Sequence, residues 1–179
     1  MKKAKKIKYA FVTVFVLVII LIIAMLTSGP SKRFVNAINQ MIDLSENIRS
    51  YYQNRPGYWG LNTNIVINNK IAPAGMIADG KLSSQFDEVL VGFGIDGEII
   101  MPGAKTFDIV YKGLNRIDCI NMVGYKFKDE QYLGMVGIKV LNPEGETNFA
   151  WGTVNNIPVS KSQANKICSK ENIVMWSFE

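Results

Sequence analysis

An unbroken apolar stretch near the start of the chain places the strongest constraint on its fold. Residues 10–26 read AFVTVFVLVIILIIAML and carry no charged side chain. As an α-helix rising about 1.5 Å per residue, the stretch from Ala10 through Leu17 to Leu26 would be about 25 Å long, enough to cross a thin bilayer. The sequence therefore predicts a transmembrane helix at 10–28.

Charge sets the orientation of this predicted anchor. Five lysines precede it, at positions 2, 3, 5, 6 and 8, and the positive-inside rule keeps such a segment in the cytoplasm. We expect a basic cytoplasmic leader at 1–9, an inner-membrane anchor and a periplasmic remainder. The alternative is a cleaved secretory signal peptide, but its apolar core is usually shorter, and Thr27-Ser28-Gly29 is a weak cleavage site.

The overall basic charge belongs to the leader. The chain has 20 basic and 15 acidic residues and a formal net charge of +5. Without the five leader lysines the two signs balance, and an anionic inner leaflet accounts for the excess. With no basic stripe elsewhere, we expect no nucleic-acid binding by the folded head.

An amphipathic helix is predicted at 29–53, directly after the anchor. Pro30 marks the junction, where it would kink or interrupt a continuous helix. Apolar residues then recur at helical spacing, with Ser45 as one polar position on the same face. The predicted packing face consists of Phe34, Ile38, Met41, Ile48 and Tyr52. We expect this stem helix to pack on the sheet of a head domain.

The remaining residues, 54–179, suit one domain with an antiparallel sheet. Two hairpins are predicted, one around Asp96-Gly97 and one around Pro143-Glu144-Gly145, and the strands TFDIVY at 106–111 and NIVMWSF at 172–178 add to the sheet. Two short helices are predicted to begin after Asn115 and Ser160, the second with a capping box. Residues 64–71 suit a short strand or a helical turn. The predicted fold class is α+β, a long membrane-anchored helix packed on an antiparallel sheet.

Two cysteines, Cys119 and Cys168, lie on the predicted exported side, one in each short helix. An oxidising compartment favours a disulfide between them. A closed loop of about 50 residues would stabilise the fold by roughly 4 kcal/mol in the chain-entropy model. The alternatives are two buried free thiols or one reactive cysteine, and the chain has no histidine to activate the latter.

The sequence lacks the residue that enzymes most often use as a catalytic acid or base. The chain contains no histidine, which removes Ser-His-Asp and Cys-His arrangements and the usual zinc ligands. We predict no enzyme activity, no cofactor and no metal site.

The two cysteine segments resemble the disulfide-bounded C-terminal region of type IVb pilins. The resemblance lies in Gly113-Leu114-x4-Cys119 after the strand TFDIVY, in Gln163-Ala164-x3-Cys168, and in the terminal IVMWSF. The basic leader, the helix that is apolar first and amphipathic later, and the antiparallel head agree with it. The resemblance implies a pilin-like roll with two small helices linked by a disulfide, and a structural subunit that assembles with other pilin subunits.

The start of the chain departs from that family. There, a peptidase cleaves after a glycine just before the apolar stretch, and a glutamate stands five residues into the mature chain. The corresponding junction here is Ala10-Phe11, and the fifth residue after it is Phe15. The resemblance thus implies a major, minor or initiating subunit of a type IVb-like pilus (fimbrium) used in adhesion, aggregation or conjugation. The alternative is a single-pass membrane-anchored periplasmic module of a secretion or pilus machine that does not enter the filament.

Overall fold

A computed structural model describes the chain over residues 32–92, 105–127 and 134–179. The chain divides into two units, Met1–Lys32 and Arg33–Glu179. The predicted leader, the anchor and the Ala10-Phe11 junction lie outside the described residues, as do the turn and second strand of the predicted first hairpin. Among the helices of the described ranges, none is both long and apolar enough to cross a membrane.

Helices and strands alternate irregularly along the described chain. In order they are α1 (Lys32–Tyr52), α2 (Thr63–Asn68), β1 (Ile77–Ala78), β2 (Lys81–Leu82), β3 (Val89–Gly92), β4 (Phe107–Leu114), α3 (Arg116–Val123), β5 (Met135–Asn142), β6 (Gly145–Ala150), α4 (Lys161–Ile167) and β7 (Asn172–Phe178). Strands β1 and β2 form a small separate hairpin, and the other five form one sheet. This arrangement is the predicted α+β class.

The main sheet is antiparallel throughout, with strand order β3-β4-β7-β5-β6. The last strand of the sequence therefore lies in the middle of the sheet. Trp176 of β7 is the register partner of Ile109 on one side and of Ile138 on the other. The predicted hairpin around Pro143 is present as β5 and β6, with Asn142 paired to Gly145.

Helix α1 buries one side and exposes the other. All five residues of the predicted packing face are buried, and Ser45 is buried with them. Its hydroxyl donates to the carbonyl of Ile42 at 2.8 Å, which satisfies the one polar group on that side. The structure adds Ala37 and Leu44 to the buried side, two residues outside the predicted packing face.

The inner face of the sheet meets this side of α1. Tyr111 of β4 donates a hydrogen bond from its hydroxyl to the carbonyl of Ala37 at 3.2 Å. Its ring meets Trp176 edge-on at 5.5 Å. Both side chains are fully buried, and they belong to one apolar cluster with the buried residues of α1. The core thus lies between α1 and the sheet, and buried residues of the shorter helices extend it.

Local capping signals fix the shorter helices. The side chain of Asn115 accepts hydrogen bonds from Ile117 and Asp118 at the start of α3. Ser160 and Gln163 form the predicted capping box at the start of α4. The sequence suited residues 64–71 to either a short strand or a helical turn. In the structure these residues contain most of α2, and Asn62 caps the N-terminus of that helix. These short segments form helices because their first free N–H groups find side-chain acceptors.

Gly113 allows the end of β4 to depart from regular pairing. The register between β4 and β7 shifts between Tyr111 and Leu114, and Gly113 has a φ of +68°. A Cβ atom at this position would lie 2.6 Å from the Cβ of Asp87. Both the backbone angle and the close approach therefore require glycine.

The packing of α1 is testable with a matched pair of variants. In a soluble fragment covering residues 31–179, Ile38→Ala should lower the free energy of unfolding by about 2 to 5 kcal/mol, because it leaves a cavity between the helix and the sheet. Asn39→Ala, one residue away on the exposed side, should change it by less than about 0.5 kcal/mol. Chemical denaturation measures both, and equal effects would contradict the packing.

Gly113 can be tested against Gly75, which has a φ of +83° but where an added Cβ atom would have no neighbour within 4 Å. Gly75→Ala should cost only the backbone strain of about 1 to 2 kcal/mol. Gly113→Ala should cost at least about 1 kcal/mol more, because the added methyl group overlaps Asp87. Equal unfolding free energies for the two variants would show that the contact with Asp87 relaxes freely.

Candidate functional site: the disulfide-bonded helices and the ends of the sheet

A disulfide joins Cys119 of α3 to Cys168, the residue that caps the C-terminal end of α4. The two Cα atoms lie 5.9 Å apart, and the cysteines are 49 residues apart in the chain. Both residues are buried. The predicted disulfide is thus present, and it links the two small helices.

Two asparagine side chains attach this helical pair to the sheet. The amide of Asn172, the first residue of β7, donates to the carbonyls of Leu114 at 3.0 Å and Ser169 at 2.9 Å. Its oxygen accepts from the N–H of Ser169 at 2.8 Å. The amide of Asn142 donates to the carbonyl of Ile167 at 2.6 Å. Sequence reasoning missed both asparagines, since a single asparagine at the end of a strand carries no signal of a distant backbone partner.

A hollow of about 780 Å³ lies at this end of the sheet. Its apolar wall includes Leu114, Leu141 and Ile173, and Lys112 and Lys170 also line it. Lys112 forms an ion pair with Glu88 at 2.7 Å. The polar side chains of the wall are therefore largely occupied by contacts within the chain.

The described residues offer little for acid–base or metal chemistry. No group of three or more cysteine, aspartate or glutamate side chains in the described ranges is placed to hold a metal ion. Burial raises the pKa of Tyr111 far above its usual value, and its hydroxyl is held by the carbonyl of Ala37. Tyr111 therefore acts as a structural donor within the core.

Comparison with known proteins finds a match among solved structures only. No family model matches the sequence, and no curated protein matches it. The crystal structure of a type IVb pilin from Salmonella typhi matches with a TM-score of 0.51. The match covers 80% of this chain and 95% of that one, at 13% sequence identity. The chain has a pilin-like fold.

The pilin-like fold confirms the structural part of the resemblance that the cysteine segments indicated. In this fold α1 packs along the sheet, the disulfide closes the C-terminal region, and β7 lies at the sheet centre. The Thr106–Cys168 region and the terminal strand, where the sequence resemblance is strongest, form the disulfide-bonded helices and the middle of the sheet.

Removing the disulfide should weaken its own surroundings first. The double variant Cys119→Ala/Cys168→Ala should lose about 4 kcal/mol of stability, because the unfolded chain regains the freedom of the closed loop. Hydrogen exchange should accelerate in α3 and α4 before it does in α1.

Alkylation provides the control for this experiment. The native protein should react with iodoacetamide only after reduction, and non-reducing peptide mapping should recover one linked pair. Two thiols that react without reduction would contradict the disulfide.

Proposed function

We propose that the chain is a structural subunit of a type IVb-like pilus, or of the base on which that pilus is assembled. The observation that carries the proposal is the pilin-like fold, in which a long N-terminal helix lies against an antiparallel sheet closed by a disulfide. A pilin-like protein acts through assembly, so no catalytic residue or cofactor is required. Its partners would be other pilin subunits and the inner membrane.

The order of the segments supports this proposal. In the sequence, the apolar stretch 10–26 precedes α1 by only a few residues. A stem of this kind would hold the subunit in the inner membrane until it joins other apolar stems, and uncharged helices leave lipid for a helix bundle at little polar cost. The head would then be periplasmic before assembly and displayed on a surface pilus after it, where adhesion, aggregation or conjugation would use it.

The exposed side of α1 is available for subunit contacts. Val35 is 39% exposed there, and its neighbours on that side are polar: Lys32, Arg33, Asn39, Asp43, Glu46 and Asn47. Because the opposite side is committed to the sheet, other subunits can meet the helix only along this mixed surface.

One sequence feature favours a minor role or membrane retention. Phe15 stands where the pilin family has a glutamate, so the stem lacks the charge that draws the N-terminus of a neighbouring subunit into register in that family. We therefore propose few copies per filament, at one end. The same feature favours the second candidate, a membrane-anchored periplasmic module of a secretion or pilus machine that stays outside the filament.

Depletion and gain of function distinguish the two candidates. Depleting the protein should reduce the number of surface fibres counted by electron microscopy. Phe15→Glu should raise the amount of the chain in sheared fibres, because its carboxylate can pair with the N-terminal amine of a neighbour. Phe15→Gln, which has a similar shape to the glutamate variant without the charge, should not.

Normal fibre number and function after depletion would refute the role as a pilus subunit and leave the periplasmic module. The N-terminal residue of the chain, determined from membranes and from shed fibres, would also show whether the leader is removed at Ala10-Phe11.

A further inference from the structure

A second hollow lies at the opposite end of the head from the Asn172 contacts, where α1 ends. Its volume is about 480 Å³. Helix α1 and the loop after it supply most of its wall, and Lys105 and Glu179 complete it. We call this site the basic hollow and define it by Arg49, Tyr52, Arg55, Tyr58, Lys105 and Glu179.

The three cations of the basic hollow have no carboxylate partner among the described residues. Ion pairs of the described residues lie elsewhere, for example between Arg33 and Asp118 and between Lys112 and Glu88. The guanidinium of Arg49 instead donates to the hydroxyl of Ser45 at 3.2 Å. The guanidinium of Arg55 lies over the rings of Tyr51 and Tyr52, 4.9 and 4.8 Å from their centroids. Both guanidinium groups are thus held in place by contacts with uncharged groups of the chain.

The helix dipole explains only part of this arrangement. Arg49 lies in the last turn of α1, where a cation complements the partial negative charge of the helix end. Lys105, however, precedes β4 and is 56 positions further along the sequence than Arg49. Arg55 lies beyond the helix and contacts aromatic rings. Three cations from separate segments therefore converge on a hollow that contains one acidic side chain, Glu179.

Two tyrosines add hydrogen-bond donors and an apolar wall. The rings of Tyr52 and Tyr58 lie 5.5 Å apart, and Tyr58 packs on Phe107 at 4.6 Å. These contacts fix the rings to the core. Burial raises the pKa of both phenols, although Arg55 and Arg49 respectively act in the opposite direction. Both hydroxyl groups therefore stay protonated at neutral pH and can donate to a bound anion.

We propose that the basic hollow binds the carboxylate or sulfate group of an acidic saccharide. Guanidinium, ammonium and phenol groups all donate hydrogen bonds, and arginine matches the geometry of planar and tetrahedral oxyanions. The hollow is larger than an oxyanion alone and has the size of small-ligand sites, so a sugar ring can lie against the partly exposed Tyr58. The cations surround one recess and do not form a track, which disfavours a nucleic-acid backbone. This site goes beyond the role as a pilus subunit and does not depend on it.

Binding to sulfated dextran tests the site in the full chain, held in a neutral detergent. Wild-type protein should bind sulfated dextran and not neutral dextran. Arg55→Gln/Lys105→Gln should weaken binding by about tenfold or more, because it removes two charged donors. Lys81→Gln/Lys166→Gln removes the same charge from exposed positions elsewhere and should change the affinity by less than about twofold. Glu179→Gln should strengthen binding, because it removes the acidic group that competes with the ligand.

Three further probes identify the source of the oxyanion. Glucuronate should compete with sulfated dextran, and inorganic sulfate should compete less well because it lacks the sugar ring. Equal losses in the two double variants would overturn the proposal, since they would show attraction by net charge alone. Stronger binding to anionic phospholipid vesicles or to single-stranded DNA than to sulfated dextran would also overturn it.

Discussion

The structure depends on the burial of one side of α1 against the inner face of the sheet. Fully burying one large apolar side chain stabilises a fold by about 1.5 to 3 kcal/mol, and α1 contributes Phe34, Ile38 and Met41 among others. The hydrogen bond from Tyr111 to the carbonyl of Ala37 adds a directional contact, which fixes the helix along its axis. Without α1, the inner face of the sheet, including Trp176, would be open to water.

The central position of β7 makes the fold a product of long-range pairing. Strand β7 follows the other strands in the sequence and pairs with β4 and with β5, so the sheet is completed only when β7 is in place. At the start of this strand, Asn172 bonds the backbone of Leu114 and Ser169. The disulfide between α3 and α4 lies in the same region. This end of the head is therefore held by covalent and polar contacts together.

The two ends of the sheet offer different surfaces. At the end where β7 begins, the hollow has apolar walls, and its asparagines bond to the backbone of the chain. At the end where α1 and β7 finish, three cations and two tyrosines surround the basic hollow. In a filament built from such heads, the first arrangement would serve rigidity, whereas the second would present a cluster of cations beside Glu179. The contacts that stabilise the fold and the proposed ligand site thus lie in separate parts of one small domain.

The sequence by itself determined the features that arise from nearby residues. Helix spacing predicted the buried side of α1, capping residues predicted the starts of α3 and α4, and Pro143-Glu144-Gly145 predicted a hairpin, because these signals act over a few residues. Only the tertiary structure decided the central position of β7, the backbone contacts of Asn142 and Asn172, and the convergence of Arg49, Arg55 and Lys105. Strand order and the meeting of distant side chains follow from how the whole chain packs, which no short window of sequence contains.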